Sequence, residues 1–173
     1  MKRLAVALLL CAAGAAGAQE PRTFEAPIVG PKGETIGTLR LRGGDNAVVG
    51  RIEIRPGGLV PGWRGLRFHR VGDCSDHGAF QRAGAPLNPD EGVKHGYLHP
   101  EGPAAGDLPN LFVAPDGSAN AEFASITVIL TGDEPDSLRD KDGSALVIHA
   151  EPDDHLTQPQ AGGAGRVACA AIK

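Results

Sequence analysis

Beyond an N-terminal apolar segment, hydrophobic and polar positions alternate in short runs, with little of the 3.6-residue period of helices. Alternation of this kind places successive side chains on opposite faces of a strand. We predict strands at residues 38–42, 49–54, 125–130, 145–148 and 166–170. Glycine- and proline-rich turns at residues 42–46 and 55–58 separate the early runs. Short strands divided by such turns predict an all-β sandwich or barrel.

Two segments show neither the strand nor the helix period. Residues 71–110 form the longer one, and the Pro/Gln/Gly-rich residues 158–165 form the shorter one. Long loops without secondary structure of their own are uncommon and are often functional. No internal repeat or domain boundary is apparent, so we predict one domain over residues 19–173.

The N-terminus has the pattern of a secretory signal peptide. Lys2 and Arg3 precede an apolar run over residues 4–13, and small residues follow up to Ala18. The run is too short for a membrane-spanning helix, so we predict a signal peptide at residues 1–18 and a periplasmic or secreted protein. Cys11 raises the alternative of a lipoprotein anchor, which we disfavour because such signals usually place a small residue where Leu10 stands.

The predicted mature chain is acidic. Subtracting Lys2 and Arg3 from the 17 basic residues leaves 15 against 21 acidic residues, a net charge of −6. This charge argues against nucleic acid or an anionic membrane surface as a partner. No later apolar stretch is long enough to cross a membrane.

Two cysteines remain after the predicted cleavage, Cys74 and Cys169. They could form one disulfide that closes a long loop, or they could be two buried thiols. We favour the disulfide because the predicted compartment is oxidising.

Six segments resemble, in order, the diagnostic segments of bacterial copper/zinc superoxide dismutases. They are similar to the first copper-ligand strand, the disulfide loop, the bridging-histidine segment, the end of the zinc loop, the last copper-ligand strand, and the C-terminal arginine and cysteine segment. They lie at residues 58–69, 72–75, 83–89, 105–110, 146–154 and 165–169. Any single segment is a weak match, but six in family order over residues 25–173 are specific.

The resemblance implies an eight-stranded Greek-key β-barrel with a Cys74–Cys169 disulfide. It also implies copper and zinc as cofactors and superoxide as the substrate. Arg166 matches the arginine that steers the superoxide anion toward copper in that family.

The metal ligands depart from the family pattern. By position, the four copper ligands correspond to Arg67, His69, Pro86 and His149. The four zinc ligands correspond to Pro86, which is the bridging position, His95, Ala104 and Asp107. The expected remnants are therefore His69 and His149 on the copper side and His95 and Asp107 on the zinc side, while Arg67, Pro86 and Ala104 are lost ligand positions.

These losses bear on the chemistry. Copper(II) prefers tetragonal nitrogen and oxygen coordination, which two histidines alone do not supply. A proline in the chain has no basic nitrogen with which to bridge metals or carry a proton. Arg67 is cationic and would repel a metal ion, so we predict that it occupies part of the vacant copper site. His77, His99 and His155 are candidate replacement ligands, His99 foremost.

Three functions fit this sequence. The first is an exported pseudoenzyme, with the dismutase fold, residual or absent metal binding, and impaired or lost dismutation. The second is an active or weak copper-dependent superoxide dismutase that uses recruited ligands or a partner's metal. The third is a copper-handling module in which His69 and His149 hold copper(I), a soft ion that accepts few ligands. The oligomeric state does not follow from the sequence.

Overall fold

The structure is a computed structural model that describes residues 22–90, 92–159 and 165–173. The predicted signal peptide and the Cys11 alternative lie outside these residues. Nine strands are present in the described part, together with a 3-10 helix at Gln81–Ala83. They are β1 (Arg22–Val29), β2 (Thr35–Gly43), β3 (Val48–Ile54), β4 (Gly62–Arg64), β5 (Leu66–His69), β6 (Leu111–Val113), β7 (Ala119–Ser125), β8 (Ser144–His149) and β9 (Arg166–Ile172). Within the same ranges, no helix is long and apolar enough to span a bilayer.

The strands form a curled antiparallel sheet in the order β5-β8-β9-β1-β2-β3-β7, and β4 pairs separately with β6. Neighbours that are distant in sequence, such as β9 with β1, require the long connections of a Greek key. Gly65 lies between β4 and β5, so one stretch of chain passes from the small sheet to the large one. The predicted all-β barrel is confirmed, and its eight strands become nine because Gly65 divides one of them.

Alternating burial explains why the central strands form. In β3, Val48, Ile52 and Ile54 are buried, whereas Val49 and Arg51 between them are exposed.

β8 is buried along its whole length because both of its faces are covered. Leu146 and Ile148 lie in the main core, whereas Ala145 and Val147 pack against Phe80 in a second, smaller core. The sequence of β8, Ser-Ala-Leu-Val-Ile-His, accordingly contains four consecutive apolar residues instead of an alternation of apolar and polar ones.

The strand predicted at residues 125–130 is wrong in its position. The observed strand, β7, ends at Ser125, where the prediction began. The Ser125 hydroxyl oxygen accepts a hydrogen bond from the Thr127 amide at 3.3 Å and lies 2.9 Å from the Thr127 hydroxyl. Such local side-chain bonds compete with a strand ladder. The period-two pattern also breaks here, because Ile126 is exposed although Val128 and Leu130, which would share its face of a strand, are buried.

The long segment between β5 and β6 is a loop, as predicted, with only the 3-10 helix as regular structure. It docks along the edge of β5 that does not pair with β8. The Phe68 amide donates to the Gly106 carbonyl at 2.9 Å, and the Leu87 amide donates to the Phe68 carbonyl at 2.8 Å. This docking brings loop residues next to Arg67 and His69, which share one face of β5 because strand side chains alternate.

The predicted disulfide between Cys74 and Cys169 is confirmed in the structure, with a Cα–Cα distance of 5.8 Å. The two cysteines are 95 residues apart in sequence. They pack with Phe80, Ala83 and Val147 in a small core beside the main one. The bridge therefore fastens the first part of the long loop to β9.

Candidate metal centre

The copper-side residues His69 and His149 lie next to each other. His69 ends β5, and His149 ends β8 after a register shift that follows Ile148. Their Nε2 atoms are 3.3 Å apart, and their rings stack with centroids 5.4 Å apart. His69 Nδ1 lies 3.0 Å from the Gly84 carbonyl oxygen, to which it donates a hydrogen bond. The structure thus brings together the two predicted remnants of the copper site.

Both copper-side imidazoles are neutral at physiological pH. Burial lowers the pKa of His69 to about 4, against a smaller opposing effect of the Gly84 carbonyl. Burial, followed by the neighbouring His69, lowers the pKa of His149 to about 3. The charges of Arg67 and Arg166 lower both pKa values further.

The proton positions follow from the hydrogen bonds. Since His69 carries its proton on Nδ1, its Nε2 is the acceptor, and His149 Nε2 must donate to it. His149 Nδ1 then has a buried lone pair without a hydrogen-bond partner among the described residues. The two Nε2 atoms are therefore bonded to each other, and of the two rings only His149 Nδ1 keeps a lone pair without a partner among the described residues.

The zinc-side residues His95 and Asp107 are also in contact, and two further residues join them. His95 Nδ1 donates to Asp107 Oδ1 at 2.6 Å, and His95 Nε2 donates to Asp153 Oδ1 at 2.9 Å. Arg67 Nη2 donates to Asp153 Oδ2 and lies 2.9 Å from His95 Nε2. All four side chains are buried. We call these residues, Arg67, His95, Asp107 and Asp153, the ionic cluster.

The charges of the ionic cluster balance. Burial lowers the pKa of His95, but the hydrogen bonds to Asp107 and Asp153 outweigh it and raise the pKa to about 9. Burial raises the pKa of Asp153, yet hydrogen bonds from His95 and Arg67 hold it well below its usual range. At neutral pH the cluster contains a guanidinium, an imidazolium and two carboxylates. Arg67 and His95 tolerate their close approach because both donate to Asp153.

Arg67 makes these contacts on the zinc side, whereas the sequence alone suggested the copper position. Its charge still acts on the copper side, since it lowers the pKa values of His69 and His149. The other two lost positions carry no donor atom. Pro86 lies opposite His69 in an isolated bridge, and Ala104 is buried. Both line a cavity of about 290 Å³ that also borders Arg67 and Asp107.

The remaining candidates lie around this centre. Arg166 donates to the carbonyl oxygens of Phe80 at 2.5 Å and Gly84 at 2.8 Å, and the latter also accepts from His69. His99 Nδ1 accepts from the Glu101 amide, and the exposed His77 packs against Phe80. His155 packs against Tyr97, and its amide donates to Asp153. None of these three histidines contacts His69 or His149 through a hydrogen bond described in the structure.

The residues present do not fit the family's pair of metals. Ligand positions are filled by Arg67, Pro86 and Ala104, and both nitrogens of His95 are bonded to carboxylates. Asp107 is equally engaged, because its Oδ2 accepts from the Gly96 and Ala104 amides. Over residues 22–90, 92–159 and 165–173, no group of three or more His, Cys, Asp or Glu side chains is arranged to hold a metal ion.

Asp153 is the residue whose role sequence reasoning missed. It lies four residues after His149, in a segment that resembles the family, but it is not a metal-ligand position and attracted no role. A buried carboxylate requires a partner. The presence of a cationic Arg67 at a ligand position is therefore the one sequence signal that a carboxylate such as Asp153 lies nearby. Sequence spacing alone does not reveal that contact.

Comparison with known proteins shows the family of the chain. The family described as copper/zinc superoxide dismutase matches residues 35–172. The Cu-Zn superoxide dismutase of Caulobacter vibrioides is 43% identical over 143 residues, covering 82% of this chain and 80% of that protein. A superoxide dismutase-like protein of Bacillus subtilis is 30% identical over 192 aligned positions, covering 99% of this chain and 96% of that protein.

A solved structure shows the same likeness in three dimensions. The crystal structure of a SOD-like protein from Bacillus subtilis has a TM-score of 0.76 and 31% identity, covering 86% of this chain and 97% of that chain. The family match over residues 35–172 includes the strands that carry His69 and His149 and the loop that carries His95 and Asp107. The chain therefore belongs to the copper/zinc superoxide dismutase family.

Proposed function

We propose that this protein is an exported member of the family that has lost rapid superoxide dismutation and serves the cell envelope or exterior as a non-catalytic protein. One observation carries the proposal. The copper side retains only His69 and His149, and their Nε2 atoms are hydrogen-bonded to each other. Copper(II) requires more nitrogen or oxygen ligands than this pair supplies.

The missing bridge supports the same conclusion. Pro86 stands at the position of the imidazole that links the two metals in the family. It has no nitrogen that could bind a metal or carry a proton. Arg166 lies near His69, and its guanidinium donates hydrogen bonds to the backbone carbonyl oxygens of Phe80 and Gly84. Anion attraction without a redox metal would not give dismutation.

The test is a superoxide assay on protein loaded with copper and zinc, with metal content measured on the same sample. The Caulobacter vibrioides relative, prepared in the same way, is the positive control. We expect little retained metal and a rate far below the diffusion-limited regime of about 10⁸–10⁹ M⁻¹s⁻¹ that efficient dismutases reach. A rate within tenfold of the control would contradict the proposal, and a low but copper-dependent rate would favour a weak dismutase with recruited ligands.

A second candidate function is copper(I) handling by the histidine pair. It is favoured by the two neutral imidazoles, whose low pKa values keep them unprotonated at physiological pH. Soft copper(I) accepts fewer ligands than copper(II). Copper titration with and without reductant separates the two functions. Binding that requires reductant and is lost in His149→Ala supports copper handling, whereas no binding under either condition excludes it.

A further inference from the structure

The zinc side of the site contains no vacant set of ligands, because a network of side chains occupies it. Arg67, on β5, donates to Asp153, and His95 is hydrogen-bonded to Asp107 on one side and to Asp153 on the other. The exposed fractions of Arg67, Asp107 and Asp153 are 2%, 3% and 6%. A charged group this deeply buried is stable only when it is paired and hydrogen-bonded.

We infer that the guanidinium of Arg67 is the resident cation of the zinc side, and that the ionic cluster orders the surrounding loops without any metal. This inference rests on the proposed function, since it assumes that the family's metals are not what holds the site together. The cation is part of the chain and therefore cannot be removed by a chelator or replaced by another ion.

The contacts show how many segments depend on the cluster. Asp107 Oδ2 accepts from the Gly96 amide at 2.7 Å and the Ala104 amide at 2.9 Å, which fixes two turns of the long loop. Asp153 belongs to the segment after β8, and its backbone amide and carbonyl both bond to the side chain of Asn110, each at 2.8 Å. A β-strand, the long loop and the segment after β8 thus meet at one buried cluster, as they would at a structural ion.

The disagreement with the family's ligand set has the same origin. Loss of the ligand positions at Pro86 and Ala104 leaves His95 and Asp107 too few to hold zinc, which normally takes four ligands in structural sites. Without zinc, the buried carboxylates of Asp107 and Asp153 share His95 as a hydrogen-bond donor, and this single ring leaves at least one negative charge to be balanced. The permanent charge of Arg67 beside Asp153 supplies the compensation.

The first experiment uses the unmodified protein. Its thermal midpoint is measured in buffer with a strong chelator and again with excess Zn²⁺, with hydrogen exchange at the Gly96 and Ala104 amides followed in both. We expect the same midpoint and the same protection under both conditions. If the protein bound zinc, a free Zn²⁺ concentration of a hundred times the Kd would raise the midpoint by roughly 5–10 °C. Such a rise, or a loss of amide protection in chelator, would overturn the inference.

The second experiment breaks the cluster. In chelator, Arg67→Met should lower the thermal midpoint by roughly 10 °C, because it removes one of the two charged partners of the buried Asp153 and leaves the cluster with an excess negative charge. Arg70→Met, an exposed arginine three residues along the chain, is the matched control and should change it by about 1–2 °C at most. The double variant Arg67→Met/Asp153→Leu should lose less than the sum of the two single changes. Additive losses, or equal effects of Arg67→Met and Arg70→Met, would overturn the inference.

Superoxide consumption measured on the same samples separates the two proposals. A chelator-resistant protein that dismutates superoxide rapidly once loaded would contradict the proposed function and leave the role of Arg67 intact. A protein that is inactive but needs zinc for its stability would contradict the role of Arg67 and leave the proposed function intact.

Discussion

The two halves of the candidate metal centre contain similar residues in opposite electrostatic states. On the copper side, His69 and His149 are neutral and bonded to each other. On the zinc side, His95 has a pKa raised to about 9 and lies between two carboxylates, with Arg67 beside it. Burial is common to both halves, so burial alone does not decide the state of a histidine.

The difference lies in the neighbours. No carboxylate is hydrogen-bonded to His69 or His149 in the described residues. The charges that act on both histidines are those of Arg67 and Arg166, and the charge of Asp153 opposes them only weakly, at His149. His95 has a carboxylate on each ring nitrogen. Desolvation therefore dominates on the copper side, and hydrogen bonding to carboxylates dominates on the zinc side. The copper side is a pair of neutral imidazoles joined by one hydrogen bond, whereas the zinc side is a buried network of paired charges.

Restoring the ligands is the change with the largest expected effect. We predict that Arg67→His, followed by Pro86→His and Ala104→His, raises copper and zinc retention stepwise, since each imidazole adds a metal bond and the first change removes a repelling charge. Superoxide consumption should rise by orders of magnitude only in variants that contain Pro86→His, toward the family's limit of about 10⁸–10⁹ M⁻¹s⁻¹. Metal content after dialysis against a weak chelator is measured beside the superoxide assay.

Arg70→His is the control for an added imidazole, because Arg70 is exposed next to the same strand. If the triple variant retains no more metal than this control, the positional matches of His69, His149, His95 and Asp107 to the family's ligands are wrong.

Removal of the disulfide should loosen the copper side of the site before the zinc side. Cys74→Ser/Cys169→Ser removes a bridge across 95 residues, for which chain entropy predicts a loss of about 4–5 kcal/mol in the free energy of unfolding. The copper side should loosen first, because residues 80 and 84, whose carbonyls hold Arg166 and His69, follow Cys74 in the bridged part of the loop. Urea unfolding gives the energy, and hydrogen exchange gives the location. Equal loss of protection at residues 80–84 and at Gly96 and Ala104 would contradict this order.

Stability at alkaline pH tests the zinc side. Because the folded pKa of His95 is raised from 6.5 to about 9, its contribution is fully present below pH 6.5 and is lost as the pH rises through 9. At about 1.4 kcal/mol per pKa unit, the loss is at most about 3 kcal/mol. Urea midpoints between pH 6 and pH 10 measure it, and His95→Gln should remove that slope. A slope unchanged by His95→Gln would show that another group titrates.

Stability at acid pH tests the copper side, where the pKa shifts are opposite in direction to that of His95. The folded pKa values of His69 and His149 are lowered from 6.5 to about 4 and about 3. Protons therefore favour the unfolded chain as the pH falls below 6.5, and the free energy of unfolding should drop by a few kcal/mol by about pH 4. Urea midpoints between pH 7 and pH 4 measure this drop. His149→Gln should reduce it and leave the alkaline slope unchanged; equal changes in both slopes would mean that the two halves titrate together.

The smallest expected effect is that of Arg166→Ala. The variant loses two hydrogen bonds to the Phe80 and Gly84 carbonyls, which should cost about 1–3 kcal/mol in the free energy of unfolding. It also removes a positive charge that lowers the pKa of His69, so that pKa should rise. Urea unfolding and an NMR titration of His69 measure the two effects, with Arg166→Lys as the charge-preserving control. A lower His69 pKa in Arg166→Ala would contradict the assignment.

Several features followed from the sequence alone because they depend on local pattern or on residue order. Alternation located β2, β3, β8 and β9 approximately, and the order of six segments indicated the family, with the disulfide implied by it. The prediction that Arg67, Pro86 and Ala104 stand at ligand positions of the family rests on residue identity and order alone. Alternation failed at Ser125, where a hydroxyl group bonded to the nearby backbone ended the strand.

Only the tertiary structure decided what the surviving residues do. Sequence spacing placed His95 and Asp107 in one loop, but the carboxylate of Asp153 reaches His95 from 58 residues farther along the chain. Asp153 holds Arg67 on the zinc side and, together with Asp107, keeps His95 protonated, while the buried His69 and His149 remain neutral. The charge of a buried group is set by atoms within hydrogen-bonding distance, and those atoms come from segments that only the fold brings together.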